Sequence, residues 1–440
     1  MKIKKLDKKP DNIEIKDLGE YIPGKYNSVT LNKLKKFVTV PYYIKWYAGS
    51  ESKKIFPMFM QEISDLNPTN FQIPQIVTRN PFFDHASVKY FIAFKNGEPA
   101  GRVMAHIDYN FNKQHNNRSG WFGLFESIED RAVAVKLLDA AISHLKQNGC
   151  DNVIGPAKFN ATGEIGCMIS GFENHPYYME PYNAPYYQEF IENCGFVKEN
   201  DWHSMNTDIN LISGYMERIL RLEEKIAGTR RELSNNNGFV IRNVDFANLG
   251  NEIKIIRELY NEIWNAGNHP QQTELTEKEF DVLAMGIRAI ALEDLLFIVE
   301  KDKKPVGVSI SLPDVNEIIE EYDSGYKKRN NDSKKNYMPS SNFLNLRDLK
   351  RDIDIFNIVK SRLKSKKFYG TRILILGVKE EFRKTGMDSK LYFQTFKRGK
   401  ELGFIHGSGS QLADINVDIL NPLFKMGKMS MTWRVYSKKI

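Results

Sequence analysis

A chain of 440 residues exceeds what one hydrophobic core supports at roughly 100–200 residues per domain, so two domains are the expectation. Hydrophobic residues at 41%, aromatics at 12% and charged residues at 27% describe packed interiors under a hydrated surface, not a disordered chain. The net charge of +8 sets 63 basic against 55 acidic residues; this small excess suits a polyphosphate cofactor, an anionic membrane or nucleic acid alike, and no nucleic-acid motif accompanies it.

The basic start, Met1 to Lys9, is followed by Asp11, Glu14 and Asp17 and not by an apolar core, which argues against a signal peptide. Phe91 to Asp108, FIAFKNGEPAGRVMAHID, reads as strand, polar turn and strand, a β-hairpin. A helix follows from about Arg131 to Gln147 and closes at Gly149, and the first half ends in a glycine, Gly195, and a strand, Trp202 to Met205. Cys150, Cys167 and Cys194 lack the C-x-x-C spacing of zinc sites and the density of a disulfide framework, so buried, reduced thiols are expected. His85, His106, His203, His269 and His406 have no metal-ligand spacing, and no metal site is expected. Met216 to Leu233 alternates charged and apolar residues like a surface helix, and a boundary falls near residue 235. The best apolar run, Ala289 to Val299, is broken by Glu293 and Asp294 and is too short for the roughly 18 residues of a membrane span, so a cytoplasmic location is the expectation.

The second half then repeats the first. Phe297 to Asp314, FIVEKDKKPVGVSISLPD, matches the earlier hairpin at Phe91/Phe297, Ile92/Ile298, Lys95/Lys301, Pro99/Pro305, Gly101/Gly307 and Asp108/Asp314, displaced by 206 residues. A helix from about Gly386 to Leu402 closes at Gly403, displaced by 254 from Gly149, so the second copy has gained 48 residues within about 315–369. That insert is a polar stretch, YDSGYKKRNNDSKKNYMPSS, followed by helical spacing from Phe343 to Leu363; it reads as a loop and helix, or as a lid over a substrate. A helix, Gly427 and a closing strand, Thr432 to Tyr436, end the chain as Gly195 and Trp202 to Met205 end the first half.

Chemistry concentrates after Arg372 to Val378, RILILGV, a buried strand that leads through a basic, glycine-containing turn into a helix. Amide N–H groups at a helix start lack partners and favour negative charge. Arg383 and Lys384 add positive charge there, and Gly386 removes a side chain that would hold a diphosphate off the backbone. Thr385 and Asp388 also fit an ordinary capping pattern.

With Arg383 and Gly386 in the spacing Arg-x-x-Gly after such a strand, the chain resembles the GNAT superfamily of acyl-CoA-dependent N-acyltransferases; Asp388 departs from the pattern, which has a small residue there. The order of strands and helices in both halves, and phrases such as NPFFDHA, GWFGLFE, YNAPYY and WRVY, make it similar to tandem-GNAT bacterial proteins of poorly defined activity. The resemblance implies a mixed α/β (α+β) chain with two tandem domains, each a twisted mixed sheet flanked by helices: 1–210, a linker helix 211–235, and 236–440. It implies an acyl-CoA, commonly acetyl-CoA, held by Leu376, Gly377, Val378, Arg383, Lys384, Thr385, Gly386, Met387 and Asn416, with the Val378 N–H as oxyanion donor. At the matching places of the first half stand Glu129, Asp130 and Ala132, which would repel a diphosphate, so that half is expected to have lost the cofactor and to shape the acceptor site. Its glycine-, amide- and tyrosine-rich segment offers Asn160, Glu164, Tyr182, Asn183 and Tyr186 as substrate contacts.

The implied reaction is acyl transfer to the amine of a small molecule or peptide. The tyrosine that many such enzymes carry in the late helix is Phe424 here, which leaves Asn416 and Tyr436 as the catalytic candidates. Transfer from an aminoacyl-tRNA, and a non-catalytic module binding CoA or a protein, stand as alternatives.

Overall fold

The computed structural model describes residues 12–440 apart from 71, 72, 74–76, 211, 213, 215, 216, 218–237, 265–270, 330–336, 384 and 417–426. The surface helix expected over Met216 to Leu233 and the late helix expected over Val417 to Met426 lie outside the described residues.

In the first half the elements are β1 (Ile13–Ile22), β2 (Tyr26–Asn27), α1 (Leu31–Thr39), α2 (Phe59–Asp65), β3 (Ala86–Lys95), β4 (Glu98–Asp108), α3 (Tyr109–Gln114), β5 (Ser119–Ser127), α4 (Arg131–Gln147), β6 (Asn152–Gly155), β7 (Cys167–Ser170), α5 (Tyr187–Asn193) and β8 (Val197–Asp208). In the second half they are β9 (Phe239–Asn243), α6 (Leu249–Ile263), α7 (Glu277–Ile290), β10 (Leu296–Lys301), β11 (Lys304–Pro313), α8 (Asn316–Arg329), α9 (Leu346–Ser365), β12 (Gly370–Val378), α10 (Met387–Glu401), β13 (His406–Ala413) and β14 (Lys428–Lys439).

The repeated hairpins are β3–β4 and β10–β11. Each turns on two residues with positive φ, Asn96–Gly97 and Asp302–Lys303, the backbone twist that tight hairpins demand. The repeated glycine has a packing reason in both: a Cβ on Gly101 would stand 2.5 Å from the Glu126 carbonyl oxygen, and one on Gly307 would stand 2.7 Å from Val378 Cγ1. Helix α4 is started by Asp130, whose carboxylate accepts the Ala132 N–H, and α7 by a reciprocal capping box between Thr276 and Glu279.

All fourteen strands of the described residues join one mixed sheet, in the order β2-β1-β3-β4-β5-β6-β14-β8-β13-β12-β11-β10-β9, with β7 on the side of β14. Reading outward from the middle, β14-β6-β5-β4-β3-β1 mirrors β8-β13-β12-β11-β10-β9, and the parallel pairs β5/β6 and β12/β13 fall at matching places. The halves have exchanged their closing strands: β14 pairs with β6 of the first half, and β8 pairs with β13 of the second. At the centre of the exchange Trp202 lies directly opposite Trp433, both buried. The two sheets that the repeat implies are therefore fused into one.

The insert is docked. Lys35 of α1 and Asp348 of α9 form a fully buried ion pair at 2.9 Å, Asp352 accepts the Met60 N–H at 2.9 Å, and Arg351 donates to the Phe56 carbonyl at 2.9 Å and to Asp323 at 2.8 Å. Helix α9 is thus a strap from the second half onto the first, not a free lid.

Candidate functional site

The two parallel strand pairs part soon after they begin. Strand β12 follows β11 as far as Val378, but its parallel partner β13 matches it only from Gly370 to Ile373. The N–H of Lys379 bonds to the Val306 carbonyl at 2.9 Å, which makes Gly307 and Val378 a non-hydrogen-bonded pair. In that register the N–H groups of Val378 and Leu376 turn away from β11 and into the gap. The gap is a cavity of about 140 Å³, lined among others by Leu376, Arg372, Trp264, Tyr260, Tyr392 and Asn416. Gly377 has another role: a Cβ there would stand 2.7 Å from the Trp264 ring and 2.8 Å from Ile263, so its bare backbone admits α6.

Beyond Val378 the chain makes one short turn, Glu380 to Phe382, and enters α10 through Gly386. Gly386 is the N-cap residue with φ +81°, no side chain caps the helix, and the position of a Cβ on Gly386 meets empty space. The Thr385/Asp388 cap expected from sequence does not form: Thr385 lies outside the helix and its hydroxyl donates to the Phe382 carbonyl at 2.6 Å. The first N–H groups of α10 are consequently left for an anion. Arg383 is exposed beside them and pairs with no acidic side chain of the described residues. The Met387 side chain is buried in the core, so only its backbone faces the corner. Lys384 lies outside the described residues.

The same corner of the first half is filled. Asp130 caps α4 and holds Lys95 Nζ at 2.6 Å. Burial works against its charge, but the bonds from Lys95 and the helix N–H groups outweigh it and keep the carboxyl below its ordinary pKa. Ser127, which faces Gly101 as Val378 faces Gly307, donates its N–H to Tyr187 Oη at 2.8 Å, and that phenol also bonds Glu126 at 2.8 Å.

The other candidates separate. Asn416 lines the β12/β13 gap. Tyr436 does not: it sits on β14 in the core of the first half, fully buried, with its phenol bonded to Glu192 at 3.1 Å, and this corrects its candidacy as a proton donor. Glu164, Tyr182 and Asn183 line a second cavity where β5 and β6 part. Of these, Asn183 spends its amide on Met168 and Ala184, and Tyr182 donates to the Phe172 carbonyl. Asn160 is buried and shapes its own turn through Thr162, and Tyr186 bonds the Ser127 carbonyl; neither lines either of these two cavities.

Tyr392 was missed by the sequence reading. It lies on the buried face of α10, lines the gap, and has no hydrogen-bond partner among the described residues. Burial, with the nearby Asp388 carboxylate, pushes its phenol pKa up, so it keeps its proton. Its helical spacing with Thr395, Phe396 and Gly399, all buried, places it inward, but nothing in the sequence separates it from a core tyrosine.

Residues 56–161 match the family model described as "Acetyltransferase (GNAT) family". Over those residues the chain is similar to the GNAT acetyltransferase family. The match falls on the first half, whose strand order the second half repeats. Among curated relatives, "Bacterial ceramide synthase" of Caulobacter vibrioides is 26% identical over 416 residues, 93% of this chain and 95% of the relative. "Protein YghO" of Escherichia coli K12 is 27% identical over 293 residues, 66% of this chain and 67% of the relative. Of solved structures, a tandem GNAT protein from the clavulanic acid biosynthesis pathway aligns over 97% of this chain and 98% of its own at 8% identity and a TM-score of 0.48. A glucosamine N-acetyltransferase region in a fungal multi-domain GH3 β-N-acetylglucosaminidase aligns over 98% of this chain, which spans 38% of that longer protein, at 11% identity and a TM-score of 0.48. Among the described residues no helix is long and apolar enough to cross a membrane.

Proposed function

We propose that the protein transfers an acyl group from acyl-CoA to an amine, with the acyl-CoA held by the second half. The observation that carries this reading is the uncapped start of α10 at Gly386, open above the backbone and placed directly after a strand whose Leu376 and Val378 N–H groups face an unfilled gap. An extended pantetheine amide finds partners along that free strand edge, and a diphosphate finds the N–H groups of α10 with Arg383 beside them. Asn416 also lines the gap.

Acyl-CoA supplies a thioester carbonyl that an amine can attack. The Val378 N–H is aimed to polarise that carbonyl and to stabilise negative charge on its oxygen. Tyr392 retains a proton in the same gap and delivers it to the departing sulfur. In the first half the equivalent donors are occupied by Tyr187 and Asp130, which supports a division of labour in which only the second half holds the cofactor. The relative whose name denotes ceramide synthesis aligns over 93% of the chain, and a ceramide contains an amide-linked acyl group, in line with acyl transfer to an amine.

Thermal shift with acetyl-CoA, CoA and tRNA, followed by thiol release against a panel of amines, tests the reading. Stabilisation by acetyl-CoA and CoA, abolished in R383E, is expected. Stabilisation by tRNA alone would replace acyl-CoA with an aminoacyl-tRNA donor, and CoA binding without thiol release would leave a binding module.

A further inference from the structure

The second cavity, about 310 Å³, opens where β5 and β6 part and reaches across to α7. Much of its wall is apolar, including Val38, Ile55, Phe56, Phe125, Leu275 and Ile287. Thr162, Gly163, Met179 and Leu283 line both this cavity and the β12/β13 gap, so the two spaces adjoin there.

Six carboxylates and only three cationic side chains line this space. Five of the six are engaged. Glu126 accepts Lys54 Nζ at 3.2 Å and the Tyr47 phenol at 2.5 Å; Lys158 stands 2.7 Å from Asp65 and 3.6 Å from Glu164. Glu180 accepts the hydroxyls of Ser410, Ser408 and Ser204, and Glu279 holds His85 and caps α7. Glu62, on α2, is the exception: its residue is 9% exposed, it lines the cavity, and no hydrogen bond or ion pair of the described residues reaches its carboxyl group. A buried, unpartnered carboxylate is costly unless a ligand completes it.

We propose that this cavity is the acceptor site, in which Glu62 binds the ammonium group of a primary amine carried on an apolar body and takes its proton. The proposal rests on the reading of the second half as the acyl-CoA site. Once Glu62 has accepted the first proton, the amine nitrogen reaches the β12/β13 gap past Thr162, Gly163, Met179 and Leu283, and its lone pair forms the C–N bond as the C–S bond breaks. The nitrogen's second proton replaces the one that Tyr392 gives to the sulfur, and Glu62 returns its own to water. Burial raises the pKa of Glu62; Arg102, Lys158 and Lys54 pull it down and Glu164 pushes it up, so the group is poised to gain and lose a proton. Arg102, whose Nε finds no acceptor although Nη1 donates to the Phe37 carbonyl at 3.1 Å, leaves a donor free for an oxygen on the same ligand.

The probes are n-octylamine and n-octanol, applied to the full chain in thermal-shift measurements at pH 8, with acetyl-CoA measured in parallel. Octylamine is expected to raise the melting temperature and octanol not to; E62Q removes the octylamine shift, keeps the acetyl-CoA shift, and lowers amine-dependent thiol release by roughly 10²- to 10⁴-fold, with E62D recovering part of it. An octylamine shift that persists in E62Q overturns the role of Glu62, and equal shifts with octanol overturn the ammonium site. Octylamine binding in a chain that never binds acetyl-CoA upholds the cation site and overturns the acyl transfer instead. Should E62Q fail to fold, L283W supplies the test: a bulkier shared wall is expected to keep both ligand shifts and lose thiol release, and full turnover in L283W overturns passage through that wall.

Discussion

The Tyr187 phenol accepts the backbone N–H of Ser127 at 2.8 Å, at the position on β5 that Val378 holds on β12. Gly101 faces Ser127 and Gly307 faces Val378, and in each half the next residue bonds back to the hairpin strand, Ile128 to Ala100 and Lys379 to Val306. One donor is thus satisfied inside the protein and its counterpart is open. In Y187F the Ser127 N–H and Glu126 each lose a buried partner, so stability should fall by about 1–3 kcal/mol in urea unfolding. The acetyl-CoA shift should stay unchanged, because the proposed cofactor site lies in the other half.

Asp388 occupies the first turn of α10, close to where a diphosphate would sit. Its charge favours the helix dipole but opposes an anionic ligand. D388N is expected to tighten CoA binding about two- to fivefold, the effect of about 0.3–1 kcal/mol, with a small loss of stability in the free protein. Calorimetric titration with CoA measures both the gain and its decline with added salt.

Tyr392 carries the proton in the proposed reaction and has no other bonded partner to lose. Y392F should therefore fold like the parent and bind acetyl-CoA normally, while thiol release slows by about 10²-fold or more. An unchanged rate would return the proton donor to Asn416 or to water.

The repeat, the two hairpins, the glycines that close α4 and α10, and the strand before the Gly386 corner were legible because each depends on local residues: periodic apolar positions, Asn96–Gly97 at a turn, Gly149 and Gly403 with positive φ. The exchange of β8 and β14 was not. Nothing local distinguishes Trp433 pairing with its own half from Trp433 pairing with Trp202, since both strands alternate in the same way. The Thr385/Asp388 cap failed for a related reason: the pattern S/T-x-x-D/E fits a helix starting after Thr385, but the left-handed Gly386 starts it one residue later. The Glu62 carboxylate gave no sequence signal, because its standing depends on side chains of other elements leaving it without a partner among the described residues.

The aspartate shared by the two copies of the repeat, Asp108 and Asp314, holds a histidine in each half. Asp108 accepts His85 at 3.0 Å, with Glu279 of α7 at 3.1 Å on the other ring nitrogen; Asp314 accepts His175 at 2.7 Å, with Glu320 of α8 at 3.3 Å. Burial opposes the charge of both rings, but their carboxylate partners prevail and push each pKa up to about 10. A folded-state pKa raised above the ordinary 6.5 means that the stabilisation is complete below pH 6.5 and is lost as pH climbs towards 10. Urea midpoints measured from pH 6.5 to 10 should fall, and H175Q, whose ring is 29% exposed, should lose roughly 2–3 kcal/mol at pH 6.5 and flatten the decline. A decline of the same slope in H85Q/H175Q would assign it to other groups.

Strap and first half meet at Lys35 and Asp348, where two charges have left water completely. Removing one partner strands the other, so K35M should cost about 3–5 kcal/mol, whereas K35M/D348L, which removes both, should recover most of it. Because Arg351 and Asp352 on the same helix clasp the backbone at Phe56 and Met60, loosening α9 also loosens the segment that walls the larger cavity. Hydrogen exchange of 55–65 should therefore accelerate in K35M along with that of 346–365, and slow again in the double variant. Faster exchange confined to the helix would show that the strap stabilises the chain without supporting the cavity.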